Sequence, residues 1–231
     1  YLLNNNLINT NIISASVKYK IKNFINIGST CVYPNNLNES ISESDFLMGP
    51  FEKSNEGYAL SKASAISLCN FIDKKNDYNY KNLIPCNLYG KYDKFDNKKS
   101  HLIAAIIYKI HNAKRYNRKT VTIWGSGDAK REFMYVGDFV EILFKSIKVI
   151  KKIPSMINIG PGNDLKVIEY YEIVKNVLGW QGKWKFDKSK PQGMKRKLSN
   201  NSKMKKLGWK VNTELIKGIK ITYENFLKFY A

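Results

Sequence analysis

The fold is decided by the stretch Lys22-Asn23-Phe24-Ile25-Asn26-Ile27-Gly28-Ser29, a short apolar run that ends in a glycine and a serine. A run of this kind, bounded by a turn, predicts a β-strand over 22–28. The near-helical spacing of apolar residues predicts a helix over 2–19, and a second helix is predicted over 57–75. The polar segment 33–56 predicts a long loop, which inside a compact domain is typical of a functional segment.

The alternation of strands and helices continues along the chain and predicts an α/β fold. The further predicted strands lie at 82–88, 121–124, 156–159 and 184–186. The further predicted helices lie at 100–115, from a cap at Asp138 to about 150, after Asp164 to about 178, at 200–207, and at 213–229 with Thr213 as its cap. The first half therefore predicts a Rossmann-type parallel sheet covered by helices, and the shorter elements after about residue 120 predict a smaller α/β lobe.

The charge balance of the chain is strongly basic. Its 231 residues include 39 Lys and Arg against 19 Asp and Glu, a formal net charge of +20. A nucleic-acid surface, a site for an anionic small molecule, and a compositional bias that also enriches Asn, Ile and Tyr all fit that charge. The basic residues are spread along the whole chain, which favours the bias, so we expect no nucleic-acid partner.

The apolar runs and the cysteines limit where the protein works. No window approaches the roughly 18 consecutive apolar residues that a membrane span needs, so we expect no membrane contact. Cys31, Cys69 and Cys86 are odd in number and form no Cys-x-x-Cys pair, which indicates a reducing, cytoplasmic setting. His101 and His111 are too few for a histidine-rich metal site, so we predict no metal.

Three residues suggest reductase chemistry: Ser29, Tyr58 and Lys62. Tyr58 and Lys62 are four residues apart at the start of a helix, so their side chains share one face. A lysine ammonium beside a phenol favours the phenolate and lowers the tyrosine pKa, which suits proton donation to a carbonyl oxygen. Ser29 follows the end of a strand, and the active sites of parallel-sheet proteins usually lie at the carboxyl ends of the strands. Taken alone, a Tyr-x-x-x-Lys pair is more often a solvated helix face.

The surrounding motifs make the pattern specific. They are Gly28-Ser29-Thr30-Cys31-Val32-Tyr33-Pro34, Asn55–Lys62, Asn87-Leu88-Tyr89-Gly90, Ser100-His101-Leu102-Ile103, Trp124-Gly125-Ser126-Gly127, Arg131-Glu132-Phe133 and Ile157-Asn158-Ile159-Gly160. With these motifs the chain resembles the GDP-L-fucose synthase family of extended short-chain reductases, from its first helix to its last residue. The Cys31 and His101 elements are specific within the extended reductases, since most sugar-nucleotide 4-epimerases and dehydratases keep only the tyrosine and lysine.

The resemblance implies a two-part reaction on GDP-4-keto-6-deoxy-D-mannose. Cys31 and His101 would exchange protons at C3 and C5, which the C4 ketone acidifies. NADPH would then deliver hydride to C4, and Tyr58 would protonate the oxygen while Ser29 holds it. Lys62 would orient the nicotinamide ribose. Without the resemblance, each residue also has an interpretation without a catalytic role. Cys31 would be a small buried apolar residue, and His101 would be a hydrogen-bonded residue at the start of a helix.

The resemblance also implies which residues contact the two ligands. The cofactor side would comprise Gly28, Ser29, Tyr58, Lys62, Pro85, Asn87, Leu88 and His101. The substrate side would comprise Lys109, Trp124, Arg131, Gln192 and Lys197. The chain departs from the family where Gln192 replaces an acidic residue, which puts guanine specificity in doubt. It also departs where Lys109 replaces an arginine, since a lysine can contact a phosphate but lacks the guanidinium fork.

The family pattern begins with a glycine-rich βαβ turn that holds the NADP pyrophosphate, and neither Gly125-Ser126-Gly127 nor Gly160-Pro161-Gly162 has that fingerprint. We therefore expect the first βαβ units to be absent, with 1–120 as the remainder of the NADP-binding domain that carries the catalytic residues. We expect 121–231 to be mainly the substrate lobe, with some segments returning to the sheet. The chain alone is expected to bind NADPH poorly.

The resemblance further implies a homodimer through the helices at 2–19 and 57–75. Three alternatives remain open: a related NAD(P)-dependent epimerase/reductase for another nucleotide sugar, an inactive fragment that lacks the cofactor loop, and a basic binding module without activity.

Overall fold

The structure is a computed structural model that describes residues 2–37, 40–75, 77–96, 100–190 and 194–230. Its helices are α1 Leu2–Lys18, α2 Glu56–Asp73, α3 Leu102–Arg115, α4 Val136–Lys148, α5 Val167–Leu178, α6 Ser202–Lys206 and α7 Leu215–Tyr230. Its strands are β1 Asn23–Ile27, β2 Asn79–Pro85, β3 Asn87–Tyr89, β4 Thr120–Trp124, β5 Lys130–Arg131, β6 Phe133–Tyr135, β7 Met156–Ile159, β8 Leu165–Lys166, β9 Lys183–Asp187 and β10 Arg196–Lys197.

The chain forms two compact units. The first unit comprises Tyr1–Cys86, Phe139–Gly162 and Leu198–Lys210. The second unit comprises Asn87–Asp138, Asn163–Lys197 and Val211–Ala231. Each unit is therefore assembled from segments that are distant in sequence. No described helix is both long and apolar enough to cross a membrane.

The first unit contains a parallel sheet in the order β1-β2-β7. Every β2 residue from Tyr80 to Pro85 is buried, as expected for the central strand of a parallel sheet. Ile66 of α2 packs with Ile84 of β2 in one apolar cluster. Ile13 of α1 packs in a second cluster with Cys69 of α2. The predicted α/β class and parallel sheet are confirmed.

The second unit is built around the apolar faces of α3, α5 and α7. Ile106 and Ile110 of α3, Val174 of α5 and Phe226 of α7 are buried in one cluster. Three small sheets surround this core: the parallel pairs β3-β6 and β4-β9, and the three-stranded β10-β5-β8, in which β5 and β8 are antiparallel.

The predicted strand at 82–88 is two strands, β2 and β3, that belong to different units. Their boundary follows Pro85, which has no amide hydrogen to continue a ladder. The amide of Cys86 donates to Ile159 of β7 at 2.9 Å, and Asn87 pairs with Phe133 of β6. Periodicity could not predict this change of partner because it depends on residues far away in sequence.

The predicted helix cap at Asp138 was wrong. Asp138 lies inside the first turn of α4, and its carboxylate accepts from the amides of Asn212 and Thr213 at 3.3 and 3.1 Å. Asp164 binds Arg196 at 2.6 Å. The helix predicted after Asp164 is α5, and its cap is Lys166, whose amide donates to the Glu169 carboxylate at 2.6 Å.

Candidate active site

The carboxyl ends of β1, β2 and β7 meet at one edge of the first unit's sheet, because the three strands are parallel. Gly28 and Ser29 follow β1 at this edge, and Pro85 ends β2. A Cβ atom on Gly28 would lie 2.3 Å from the Cδ1 atom of Ile84 and 3.1 Å from that of Ile66. The glycine is therefore required by close packing of α2 and β2 beneath the turn.

The turn after β1 presents Ser29 and Cys31. Ser29 caps a 3₁₀ turn at Thr30–Val32, and its Oγ accepts from the Cys31 amide at 3.2 Å. Tyr33, the residue that follows this turn, is buried, and its hydroxyl donates to Asn158 Oδ1 of β7 at 2.6 Å. Two hydrogen bonds thus hold the backbone that carries the Cys31 thiol.

Tyr58 and Lys62 lie in the first turns of α2. The Tyr58 hydroxyl is hydrogen-bonded to the Ser29 side chain and lies close enough to Cys31 for their charges to interact. The Lys62 ammonium donates to the Ile27 carbonyl at 2.9 Å and lies 5.9 Å from the centre of the Tyr58 ring. The structure therefore brings Ser29, Cys31, Tyr58 and Lys62 together at the sheet edge.

The expected lowering of the Tyr58 pKa is wrong. Burial raises the pKa of Tyr58, the negative charge of a Cys31 thiolate raises it further, and only the hydrogen bond from Ser29 opposes them. Burial also lowers the pKa of Lys62, whose ammonium is directed to the Ile27 carbonyl. A phenol with a raised pKa keeps its proton at neutral pH and can donate it to an oxyanion.

The remaining predicted residues on the cofactor side lie in the second unit. Asn87 begins β3 and donates its amide to the Glu132 carbonyl at 2.9 Å, and Leu88 pairs with Met134 of β6. His101 is exposed at the residue before α3, and its charge lowers the pKa of Asp93, which burial raises more strongly.

Lys109 and Trp124 are neighbours in the second unit. The Lys109 ammonium lies 5.1 Å from the Trp124 ring centre and donates to the Thr122 carbonyl at 3.3 Å. Burial lowers the pKa of Lys109. Lys190, which sequence reasoning missed, places a second ammonium 5.9 Å from the same ring. Only the fold brings its loop, which follows β9, beside the end of β4.

Arg131 and Lys197 face each other across the paired strands β5 and β10. The Arg131 guanidinium donates to the Lys130 and Met194 carbonyls at 2.8 and 2.7 Å. Arg196, between Lys195 and Lys197, forms a two-point ion pair with Asp164 at 2.6 and 3.2 Å. The predicted contact Gln192 lies outside the described residues.

A hydroxyl, a phenol and an ammonium at the strand ends of a parallel sheet define the class of short-chain-type reductases. Residues 1–160 match the model of the NAD dependent epimerase/dehydratase family, and this chain belongs to that family, in the group of its GDP-L-fucose synthases. The protein is accordingly an enzyme, an NAD(P)-dependent epimerase/reductase.

Two relatives show how close the likeness is. The chain is 43% identical over 227 residues to the GDP-L-fucose synthase of Azorhizobium caulinodans, covering 98% of this chain and 73% of the relative. It is 41% identical over 228 residues to the GDP-L-colitose synthase of Yersinia pseudotuberculosis, covering 98% and 74%.

Solved structures agree with the fold. A GDP-L-fucose synthetase from Naegleria fowleri bound to NADP superposes with a TM-score of 0.91 at 25% identity, covering 100% of this chain and 74% of that chain. A GDP-6-OMe-4-keto-L-xylo-heptose reductase from Campylobacter jejuni superposes with a TM-score of 0.89 at 28% identity, covering 97% and 75%.

Proposed function

We propose that the protein is a GDP-L-fucose synthase, which epimerises GDP-4-keto-6-deoxy-D-mannose at C3 and C5 and then reduces C4 with NADPH. The observation that carries the proposal is the cluster of Ser29, Cys31, Tyr58 and Lys62 at one sheet edge. The 43% identity to a GDP-L-fucose synthase along 98% of the chain supports the substrate.

For the reduction, Tyr58 supplies the proton that the C4 oxygen needs as hydride arrives from the bound cofactor. The raised pKa of Tyr58 keeps this proton in place near neutral pH. Ser29, whose side chain is hydrogen-bonded to the Tyr58 hydroxyl, hydrogen-bonds the same oxygen. Lys62 has one ammonium hydrogen on the Ile27 carbonyl, and its other hydrogens fit the hydroxyls of a nicotinamide ribose.

For the epimerisation, we propose Cys31 and His101 as the proton-transfer residues. The C4 ketone makes the hydrogens at C3 and C5 acidic, so a base can remove each as a proton and leave an enolate. Return of a proton to the opposite face of the carbon inverts it. A thiol and an imidazole both exchange protons near neutral pH, which is the property that these two steps require.

The epimerisation can be tested without any cofactor. In deuterium oxide the protein should introduce deuterium at both C3 and C5 of GDP-4-keto-6-deoxy-D-mannose, measured by mass spectrometry and NMR. We expect Cys31→Ser and His101→Asn to slow the exchange by about 100-fold or more, since general acid–base groups contribute on that scale. Tyr58→Phe is the comparison variant, because it removes the reductive proton donor and should slow the reduction more than the exchange, in which the phenol only hydrogen-bonds the C4 oxygen of the enolate.

The exchange assay also decides between two candidate functions. Parent-like exchange in Cys31→Ser would contradict the assigned role of the thiol. The likeness to a GDP-L-colitose synthase at 41% identity favours, as a second candidate, an epimerase/reductase for another GDP-sugar. An enzyme of that kind that inverts one carbon would introduce one deuterium instead of two.

We also propose that the protein uses NADP(H), forms a homodimer through α1 and α2, and works in the cytoplasm. The NADP-bound structural neighbour supports the cofactor. Exposed apolar side chains on α1, namely Leu3, Leu7, Ile8 and Ile12, support a partner surface. The cysteine content supports the compartment.

A further inference from the structure

A polar residue lies in the middle of a buried strand in the first unit. All four residues of β7 are buried, and Asn158, the third of them, is 0% exposed. A parallel strand that is buried on both faces is normally a run of apolar residues. A buried amide lowers stability unless its polar atoms are all paired, whereas an apolar side chain has no such requirement. The presence of Asn158 therefore indicates a role beyond the stability of the sheet.

The Asn158 side chain uses its whole hydrogen-bonding capacity. Its Oδ1 accepts from the Tyr33 hydroxyl at 2.6 Å. Its Nδ2 donates to the carbonyls of Ile41 and Asn200 at 2.9 and 3.4 Å. Because a carbonyl oxygen only accepts, the amide fits in one orientation, with Nδ2 toward the two carbonyls and Oδ1 toward Tyr33. The Tyr33 hydroxyl is therefore the donor in the bond that it shares with Asn158.

The acid–base state of Tyr33 agrees with this direction. Burial raises the pKa of Tyr33, and the negative charge of Glu43 raises it further. The phenol therefore keeps its proton at neutral pH. The Glu43 carboxylate also accepts from the Asn158 backbone amide at 2.8 Å and pairs with Lys203 at 3.3 Å. The backbone and the side chain of Asn158 are thus both fixed.

The network reaches the turn that carries Cys31. Tyr33 directly follows the 3₁₀ turn Thr30–Val32, and its amide donates to the Thr30 carbonyl at 3.5 Å. Ser29 holds the other end of this turn through the Cys31 amide. Only Val32 separates Cys31 from Tyr33, so a shift of Tyr33 moves the backbone that carries the thiol.

We propose that Tyr33 and Asn158 are positioning residues for the epimerisation, and that their shared hydrogen bond holds the Cys31 thiol where it can exchange a proton with the substrate carbon. The inference rests on the proposed function and deepens it, because it names two residues that act through Cys31. Proton transfer depends steeply on placement, since a misplacement of about 1 Å can slow a reaction by about 100-fold.

The test is the deuterium-exchange assay on the full chain with GDP-4-keto-6-deoxy-D-mannose, run over a range of substrate concentrations. Tyr33→Phe removes only the hydroxyl and keeps the ring in its apolar cluster. We expect this variant to lower the maximal exchange rate by about 10- to 100-fold. The half-saturating substrate concentration should stay near the parental value, because the variant disturbs the placement of a reacting group and leaves substrate binding intact.

Tyr80→Phe is the matched control. Tyr80 is also buried, and its hydroxyl donates to the Ile21 carbonyl at 3.1 Å, near the amino ends of β1 and β2 and away from the candidate site. Each variant loses one buried hydroxyl, so both should lose a similar amount of stability in urea. Tyr80→Phe should nevertheless exchange deuterium at the parental rate. Equal slowing by the two variants would reflect a general loss of stability and would overturn the inference.

Asn158→Ala tests the other side of the hydrogen bond. This change removes the acceptor of the Tyr33 hydroxyl, so adding Tyr33→Phe to it should slow the exchange no further. If the two substitutions multiply their effects, the residues act independently and the shared bond is not the positioning contact. Tyr33→Phe and its control decide the inference by themselves if Asn158→Ala does not fold.

A second readout needs no substrate. Cys69 and Cys86 are buried, so iodoacetamide in solution should label Cys31 first. Loss of the Tyr33 hydroxyl should let the turn open more often, so Tyr33→Phe should be labelled faster than the parent and Tyr80→Phe. An unchanged labelling rate would show that the thiol is not held by this bond and would overturn the inference.

The failure of the proposed function would look different. A parent that introduces no deuterium, or a Cys31→Ser variant that exchanges like the parent, would reject the proposed function and this role with it. A slow Cys31→Ser variant together with a parent-like Tyr33→Phe variant would leave the proposed function intact and reject the role of Tyr33 and Asn158 alone.

Discussion

At the scale of single residues, burial sets the acid–base properties of the candidate site. The Tyr58 phenol is desolvated and faces Cys31, and both effects raise its pKa. The Lys62 ammonium is desolvated as well, which lowers its pKa. Both shifts favour the neutral forms of the two side chains over the phenolate–ammonium pair. The residue that donates a proton in the proposed reduction is therefore held in its protonated state.

His111 shows the same effect away from the site. Its ring packs against Phe226 with 4.9 Å between ring centres, and its Nδ1 lies 3.1 Å from the Tyr223 hydroxyl. Burial lowers the pKa of His111, and the positive charges of Arg115 and Lys114 lower it further. The folded protein thus favours the neutral imidazole.

We predict that His111 makes the second unit less stable in acid. The pKa of His111 in the folded protein is below the unfolded value of about 6.5. The contribution of His111 to the free energy of unfolding is therefore complete above pH 6.5 and is lost as the pH falls through the folded pKa. The stability advantage of the parent over His111→Gln should shrink between pH 7.5 and 5.5. We expect a change of about 0.5 kcal/mol, because partial exposure screens the charges. Urea unfolding at both pH values measures it, and a pH-independent difference would contradict the assignment.

At the scale of elements, a buried polar junction joins the end of α2 to β2 in the first unit. The Asp73 carboxylate accepts from Lys81 Nζ at 2.8 Å, from the Tyr80 amide at 2.9 Å and from Ser155 Oγ at 2.5 Å. The Asp73 and Lys81 side chains are only 6% and 9% exposed. Because α2 also carries Tyr58, this junction fixes the helix that positions the reductive proton donor.

We predict that Asp73→Asn destabilises the first unit strongly. The change leaves the Lys81 ammonium buried without its counter-charge, which typically costs about 3–5 kcal/mol. Asp77→Asn is the matched control, since the Lys22–Asp77 pair is 49% and 78% exposed and should contribute less than about 1 kcal/mol. The free energy of unfolding in urea measures both. Equal effects of the two substitutions would show that the buried junction is not specially stabilising.

At the scale of the whole molecule, the chemical groups are divided between two units. The first unit holds Ser29, Cys31, Tyr58 and Lys62, and the second holds His101, Lys109 and Trp124. Each unit is built from three chain segments, so the order of the sequence does not reveal the division. The assignment of the units to cofactor and substrate remains a prediction.

The proposed homodimer is a second property at this scale. Ile8 of α1 is 55% exposed and belongs to the apolar surface of that helix. Ile8→Glu places a charge in the proposed interface, which should convert the dimer to monomer in sedimentation velocity. Val140→Glu introduces the same charge at a 42% exposed apolar position of α4 and should leave the dimer intact. A parent that is monomeric at micromolar concentration would refute the interface.

Local patterns predicted most of the regular structure. The helices α1, α2 and α3 begin and end within two residues of the predicted bounds, because their periodic apolar faces and turns are encoded nearby. The two-residue strands β5, β8 and β10 were missed, since so short a strand carries no periodicity and exists only through its partners. Pairing partners, as at the break between β2 and β3, are likewise non-local.

The sequence by itself determined the α/β class and the shared helix face of Tyr58 and Lys62, because both follow from local spacing. The resemblance of its motifs to a known family implied that Ser29 and Cys31 join them. Only the tertiary structure decided that the Tyr58 pKa is raised and that the Lys190 ammonium lies beside the Trp124 ring. Desolvation and cavities arise from atoms that packing brings together from distant positions, and spacing along the chain does not encode them.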